Sequence, residues 1–247
     1  MWLVKARYHT LRVAIVEPGN IERWWALPIG GEYPLAWGSV DSPYHTTFTK
    51  WESEQQRRDI KYTMYKVVKD ELPGVRLLEF RQLLQETLDA WRDDKKRLKE
   101  IILRCFHKWD RSRVEKLLGP RWEDVTAGQI FGEEPPLIKT GDGWKIGIRP
   151  LTWVNNISEG GWMTDKGFIY CNKKEWWRSR EDEVMHAVME NHPELMENIH
   201  ILGDLKAPAY MEGGDMRAPS EDTIMAGVGW HTNKEAVIEI SKMLEKG

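Results

Sequence analysis

The chain has 247 residues, 30% of them charged, with a net charge of −3 and an isoelectric point near 6.2. That balance argues against a general nucleic-acid binder or a membrane-surface protein. No apolar run reaches the ~18 residues of a membrane span. Lys5, Arg7 and His9 interrupt any signal-peptide core. Cys105 and Cys171 form neither a disulfide framework nor a CxxC site, so a reducing cytoplasm is the expected location.

Leu11–Val16 alternates and is β-branched, which predicts a strand ended by the turn residues Glu17-Pro18-Gly19. Residues 20–50, rich in Trp, Pro and Gly, show no period and predict a long ordered loop. Trp51–Leu72 carries Ile60, Met64, Val67 and Val68 among charges, which predicts an amphipathic helix stopped by Pro73-Gly74. Val75–Glu79 reads as a second strand. Residues 80–128 then change character. Phe80, Leu83, Leu84, Thr87, Leu88 and Trp91 fit one helix face, and Leu98, Ile101, Ile102, Cys105 and Phe106 a second. Val114, Leu117 and Leu118 fit a third helix, stopped at Gly119-Pro120, giving a small inserted bundle. Asp93–Arg97 reads as a solvated turn. From Pro135 to Pro150 the chain reads as a linker with a hairpin at Gly141-Asp142-Gly143.

After Pro150 the α/β pattern returns. Trp162–Thr164 and Phe168–Cys171 flank a hairpin turn at Asp165-Lys166-Gly167. Trp177–Glu190 predicts a helix ending near His192-Pro193, Ile199–Leu202 a strand, and Lys234–Leu244 a final amphipathic helix. Between the last two lies Tyr210-Met-Glu-Gly-Gly-Asp-Met216, followed by Thr223–Asn233, and these segments are expected to pair. Two glycines between two acids let the backbone approach another group closely, with a carboxylate on each side. The same text also reads as an ordinary turn with solvated acids.

Five stretches, in order, resemble the arginine deiminases of the guanidine-modifying, amidinotransferase-like superfamily. They are residues 8–19 with their Pro-Gly turn; 75–88 ending in Leu-Leu-Gln-Glu-Thr-Leu; Val125–Gly128; Asn172–Leu195; and Met211–Asp215 with the later Gly-Val-Gly-x-x-Thr-Asn. The resemblance implies an α/β fold built as a partial α/β propeller, about three of five ββαβ-type blades, with an inserted helical bundle. It divides the chain into a first blade region at 1–79, a helical insertion at 80–130 and further blades at 131–247.

It also implies a chemistry. Carboxylates hold a planar guanidinium by paired hydrogen bonds. A cysteine thiolate attacks its central carbon, ammonia leaves, and a histidine moves the protons. Glu212 stands at the family's site glutamate and is the catalytic candidate, with Asp215 supporting the same turn. Glu159 is nearest the family's second guanidinium-binding acid, and Asp165 is the other candidate. His231 stands where the family has an arginine for the substrate's α-carboxylate, and Arg178 or Arg180 could supply that clamp. Each has a plainer reading: Asp215 as a turn cap, His231 as a surface residue before the cap at Thr232 or Asn233, and Arg178 and Arg180 as ordinary helix-start charges. No metal or cofactor is called for.

The family carries its histidine and cysteine well beyond the Glu-Gly-Gly-Asp element, and this chain ends at Gly247. Neither Cys105 nor Cys171 matches the nucleophile. The expectation is a subunit of a split C–N hydrolase acting on a guanidine or amidine, with a second polypeptide bringing the histidine and cysteine. A partner would also cover open strand edges. The alternatives are a non-catalytic deiminase-like subunit and a fragment of a longer deiminase.

Overall fold

The structure is a computed structural model. It describes residues 13–16, 63, 66–67, 70–71, 74–108, 111–131, 139–140, 143–144, 159–174, 178–220 and 223–246. The loop expected at 20–50 and the motif residues 155–158 lie outside the described residues.

Strands β1 (Val13–Val16) and β2 (Arg76–Glu79) pair in parallel, with Val13 opposite Arg76 and Val16 opposite Glu79. A parallel pair needs a crossover. Thr63, Lys66, Val67, Asp70 and Glu71 are helical between them, as expected. Val67, however, is exposed rather than inward. It shares its helix row with Thr63 and Glu71, beside the Lys66–Asp70 ion pair at 2.5 Å, so this row faces water.

β2 runs straight into α1 (Phe80–Ala90), followed by α2 (Lys95–Arg104) and α3 (Arg111–Leu118). α1 buries Phe80, Leu83, Leu84, Thr87 and Leu88, a single stripe at helical spacing. The Asp93–Arg97 run is not only a solvated turn. Asp94 caps α2 by accepting a hydrogen bond from the Arg97 amide at 3.0 Å. Gly119 ends α3 with φ of 55°, a conformation that favours glycine. The chain then adds a 3₁₀ turn at Trp122–Asp124 and the short helix α4 (Ala127–Phe131). α4 is too brief to show a period, but a reciprocal cap starts it. The Gln129 amide donates to Thr126 Oγ1 at 3.2 Å, and the Thr126 amide donates to Gln129 Oε1 at 2.9 Å.

A two-residue ladder, β3 (Lys139–Thr140) with β4 (Gly143–Trp144), forms the hairpin expected there. β5 (Gly161–Met163) and β6 (Phe168–Tyr170) pair antiparallel about the Asp165–Gly167 turn. At Gly167 φ is +146°, and an added Cβ would lie 2.7 Å from the His200 carbonyl oxygen. Helices α5 (Ser179–Met189) and α6 (Pro193–Asn198) lead to β7 (Ile201–Asp204), which lies parallel to β6. β7 starts two residues later than the pattern suggests. The Ile199 amide still closes the last turn of α6 on Leu195 O at 2.8 Å, so it is not available to a strand. β5, β6, α5 and β7 form one ββαβ unit. β8 (Met216–Arg217) pairs with β9 (Met225–Ala226), and α7 (Lys234–Lys246) follows.

The fold is mixed α/β, with helices and small sheets. The described sheets have two, two, three and two strands, and no closed ring of blades is among the described residues. One apolar cluster joins α1, α2 and α4 to β6 and α5, so the helical segment and the ββαβ unit share a core. A second cluster, including Ile169, Met211, Met216 and Ile240, seats α7 beneath the Met211–Met216 turn.

Candidate functional site

The 211–216 segment is anchored from both sides. The Met211 amide donates to Asn172 O at 3.1 Å, beside the end of β6. The next amide, of Glu212, donates to Thr232 Oγ1 at 3.2 Å, and that hydroxyl donates to Asp215 Oδ2 at 2.6 Å. Thr232 is fully buried, so one hydroxyl locks the turn and the 232 region together. Gly213–Asp215 is a 3₁₀ turn. Neither Gly213 nor Gly214 has a positive φ, and a Cβ on Gly214 would make ordinary contact, 3.8 Å, with Cγ of Glu159. Gly214 is thus required neither by a positive φ nor by a close approach to Glu159. The two acids divide the work: Asp215 faces back into the turn, while Glu212 faces outward into a charged cluster.

Arg178 is the centre of that cluster. It immediately precedes α5 and is buried. Its Nη1 donates to Glu212 Oε1 and its Nη2 to Glu159 Oε2. Glu181, three residues on, takes Nη2 at 3.1 Å and Nε at 3.3 Å through a single oxygen. The guanidinium thus touches three carboxylates. Burial works against its charge, but Glu181, Glu159 and Glu212 outweigh burial and raise its pKa further. Lys173 forms a second, adjoining pair: its ammonium bonds Asp182 and lies 3.8 Å from Glu181. Burial raises the Asp182 pKa against the pull of Lys173.

Glu212 feels both influences. Burial, then repulsion by Glu159, push its carboxyl from the ordinary 4.5 up to about 7, against the pull of Arg178 and His231. His231 Nδ1 stands 3.6 Å from Glu212 Oε1, and its side chain is 38% exposed. His231 therefore lies at the open edge of the cluster. Trp230 beside it is 69% exposed, with Lys174 Nζ 3.6 Å from its ring centre.

Of the residues singled out by sequence, Glu212, Glu159, Arg178 and His231 come together. Asp215 supports their turn. Asp165 does not join them: it is exposed in the β5–β6 hairpin. Arg180 points elsewhere. It is buried, donates through Nε to Cys105 O at 2.9 Å and through Nη2 to Ile130 O, and its guanidinium carbon lies 4.8 Å from the Phe106 ring centre. Sequence reading missed Lys173, Glu181 and Asp182. The Arg178–Glu181 spacing of three on a helix was the available signal.

The two cysteines are core residues. Cys105 is buried and its thiol is pushed up to about 12, chiefly by burial. Cys171 is also buried, and burial raises its thiol well above the ordinary range. No group of three or more His, Cys, Asp or Glu suited to a metal occurs among the described residues. No described helix is long and apolar enough to cross a membrane.

A mixed α/β frame thus presents two carboxylates, Glu212 and Glu159, that bind a guanidinium from within the chain. Residues 162–247 are similar to the family model of arginine deiminase. The match contains Glu212, Arg178 and His231 and begins just after Glu159. A search of the curated proteins finds no match.

Proposed function

We propose that this chain carries the guanidinium- or amidinium-binding part of a deiminase-like C–N hydrolase, built as a partial propeller that a second polypeptide completes. The observation that carries this reading is the convergence of Glu212 and Glu159 on one guanidinium, within or beside the deiminase-matching stretch. Two carboxylates on a planar cation fix its orientation as well as its position, which is what attack at its central carbon requires. Glu212, with a carboxyl near pKa 7, is suited to exchange a proton with the ligand's nitrogen at neutral pH. In this reading His231, at the open edge, meets the remainder of the substrate.

The thiolate comes from outside this chain in this reading. Both cysteines are buried, and burial raises both thiol pKa values, so in this reading neither supplies the nucleophile. The partner also brings the acid–base histidine. The test is ammonia release from a panel of guanidines and amidines by the assembled protein. Glu212→Ala in that assembly is expected to lower turnover by about 100-fold or more. Unchanged turnover would remove Glu212 from the site.

A further inference from the structure

In the chain as folded, the guanidinium between Glu212 and Glu159 belongs to Arg178. Its Nη1 and Nη2 each meet a different carboxylate, and Glu181 takes the Nε side. This is the same bonding that a ligand guanidinium would need. Arg178 spans Glu212 Oε1 and Glu159 Oε2, so a ligand guanidinium bridging the same two oxygens would take its place. The surroundings favour exchange over permanent closure. Among the described residues, Glu159, Glu181, Glu212 and Asp182 surround Arg178 and Lys173, with His231 at the edge. Removal of Arg178 would leave Glu159, Glu181 and Glu212 without the guanidinium they share, a position open to a ligand cation. Arg180 shows the contrast: backbone carbonyls and an aromatic ring hold it, and they offer no place for a competing ligand.

We propose that Arg178 is the resident occupant of the guanidinium position, a built-in stand-in for the ligand, and that a guanidinium or amidinium substrate enters only by displacing it. This rests on the proposed function and adds a gate to it. A simple cation such as methylguanidinium must compete with a tethered guanidinium already in place, so the native chain resists it. A ligand that also carries an anionic group offers the displaced Arg178 a new partner and enters more readily.

The test is calorimetric titration of methylguanidinium, at concentrations far below those that denature, into the native chain, Arg178→Ala and Arg178→Ala/Glu212→Gln. The expected result is at least tenfold tighter binding to Arg178→Ala than to the native chain, lost again in the double variant. Equal binding by the native chain and Arg178→Ala, abolished by Glu212→Gln in both, would overturn the displacement proposal and leave the proposed function standing. No binding to any form would overturn both. Binding that survives Glu212→Gln would place the ligand elsewhere and overturn the proposal. If Arg178→Ala folds poorly, its melting temperature is expected to rise with methylguanidinium and not with equimolar tetramethylammonium; an equal response to both would overturn the proposal. Arg178→Lys, which keeps the charge but cannot span both carboxylates, is expected to bind methylguanidinium with intermediate affinity. Affinity no better than native would count against displacement.

Discussion

Arg178 and Arg180 stand two positions apart at the start of one helix, and both are buried. They nevertheless belong to different parts of the molecule. Arg180 turns into the junction with the helical segment, where it ties Cys105 O and Ile130 O to α5 and covers Phe106. Its partners among the described residues are backbone carbonyls and an aromatic ring. Arg178 turns toward the 211–216 turn, where its partners are carboxylates borne on three separate stretches of chain. The first environment can only hold the fold together. The second holds ionisable carboxylates, which a ligand cation could also take as partners. Equal burial of two like side chains therefore says little about role; the chemical type of the partners separates them.

The largest expected effect lies in the first environment. Arg180→Ala leaves two carbonyls without this donor and removes packing from Phe106, a loss of about 3 kcal/mol. Urea unfolding should show it as a lower midpoint, and Arg180→Lys should not restore it, since an ammonium cannot reproduce the planar fork. An unfolding midpoint unchanged in Arg180→Ala would erase the distinction drawn between the two arginines.

A smaller loss is expected at the turn that presents Glu212. Thr232→Val keeps the volume but removes a hydroxyl that both donates to Asp215 and accepts from the Glu212 amide. The cost should be about 1–2 kcal/mol by urea unfolding. In the assembled protein the affinity for guanidines should fall with it, because the Glu212 carboxylate loses its fixed base.

The two environments also respond to pH with opposite sign. His107, beside Arg180 and Arg111, has its pKa lowered from 6.5 to about 4, first by burial and then by those two cations. Its stabilising contribution is present above 6.5 and is lost as pH falls toward 4. Glu212 is raised from 4.5 to about 7. Its contribution is present below 4.5 and is lost as pH rises toward 7. In unfolding curves over pH 4–7, His107→Gln should remove a rise of stability with pH, and Glu212→Gln should remove a fall of stability with pH. A change of slope in the opposite direction for either substitution would contradict these assignments. The smallest effect is expected for Asp165→Asn in the exposed hairpin: within about 0.5 kcal/mol of native stability and no change in guanidinium affinity.

Much of this was legible in the sequence where the period was long enough. The stripe of α1, the β5–β6 hairpin about Asp165–Gly167 and the terminal helix all follow from pattern and turn chemistry. α4 and α6 did not show, being too short for a period; the Thr126-x-x-Gln129 box and Pro193 at a helix start were their only marks. In the site, the two-acid, two-glycine spacing marked the stretch that carries Glu212, and the deiminase resemblance gave Glu212, Glu159 and His231 their roles. Arg178 and Arg180 could not be told apart, because a difference of two helical positions becomes a difference of environment only once the neighbouring elements are packed. Asp165 shows the reverse: a plausible acid by sequence that the hairpin carries into solvent.

The most direct measurement is native mass spectrometry of the protein isolated from its own source, with ammonia release from guanidines assayed on the same preparation. The account predicts a complex of this 29.0 kDa chain with a second polypeptide that supplies a cysteine and a histidine, and activity only in that complex. A lone chain, or an assembly of identical copies, that releases no ammonia from any guanidine or amidine would contradict it.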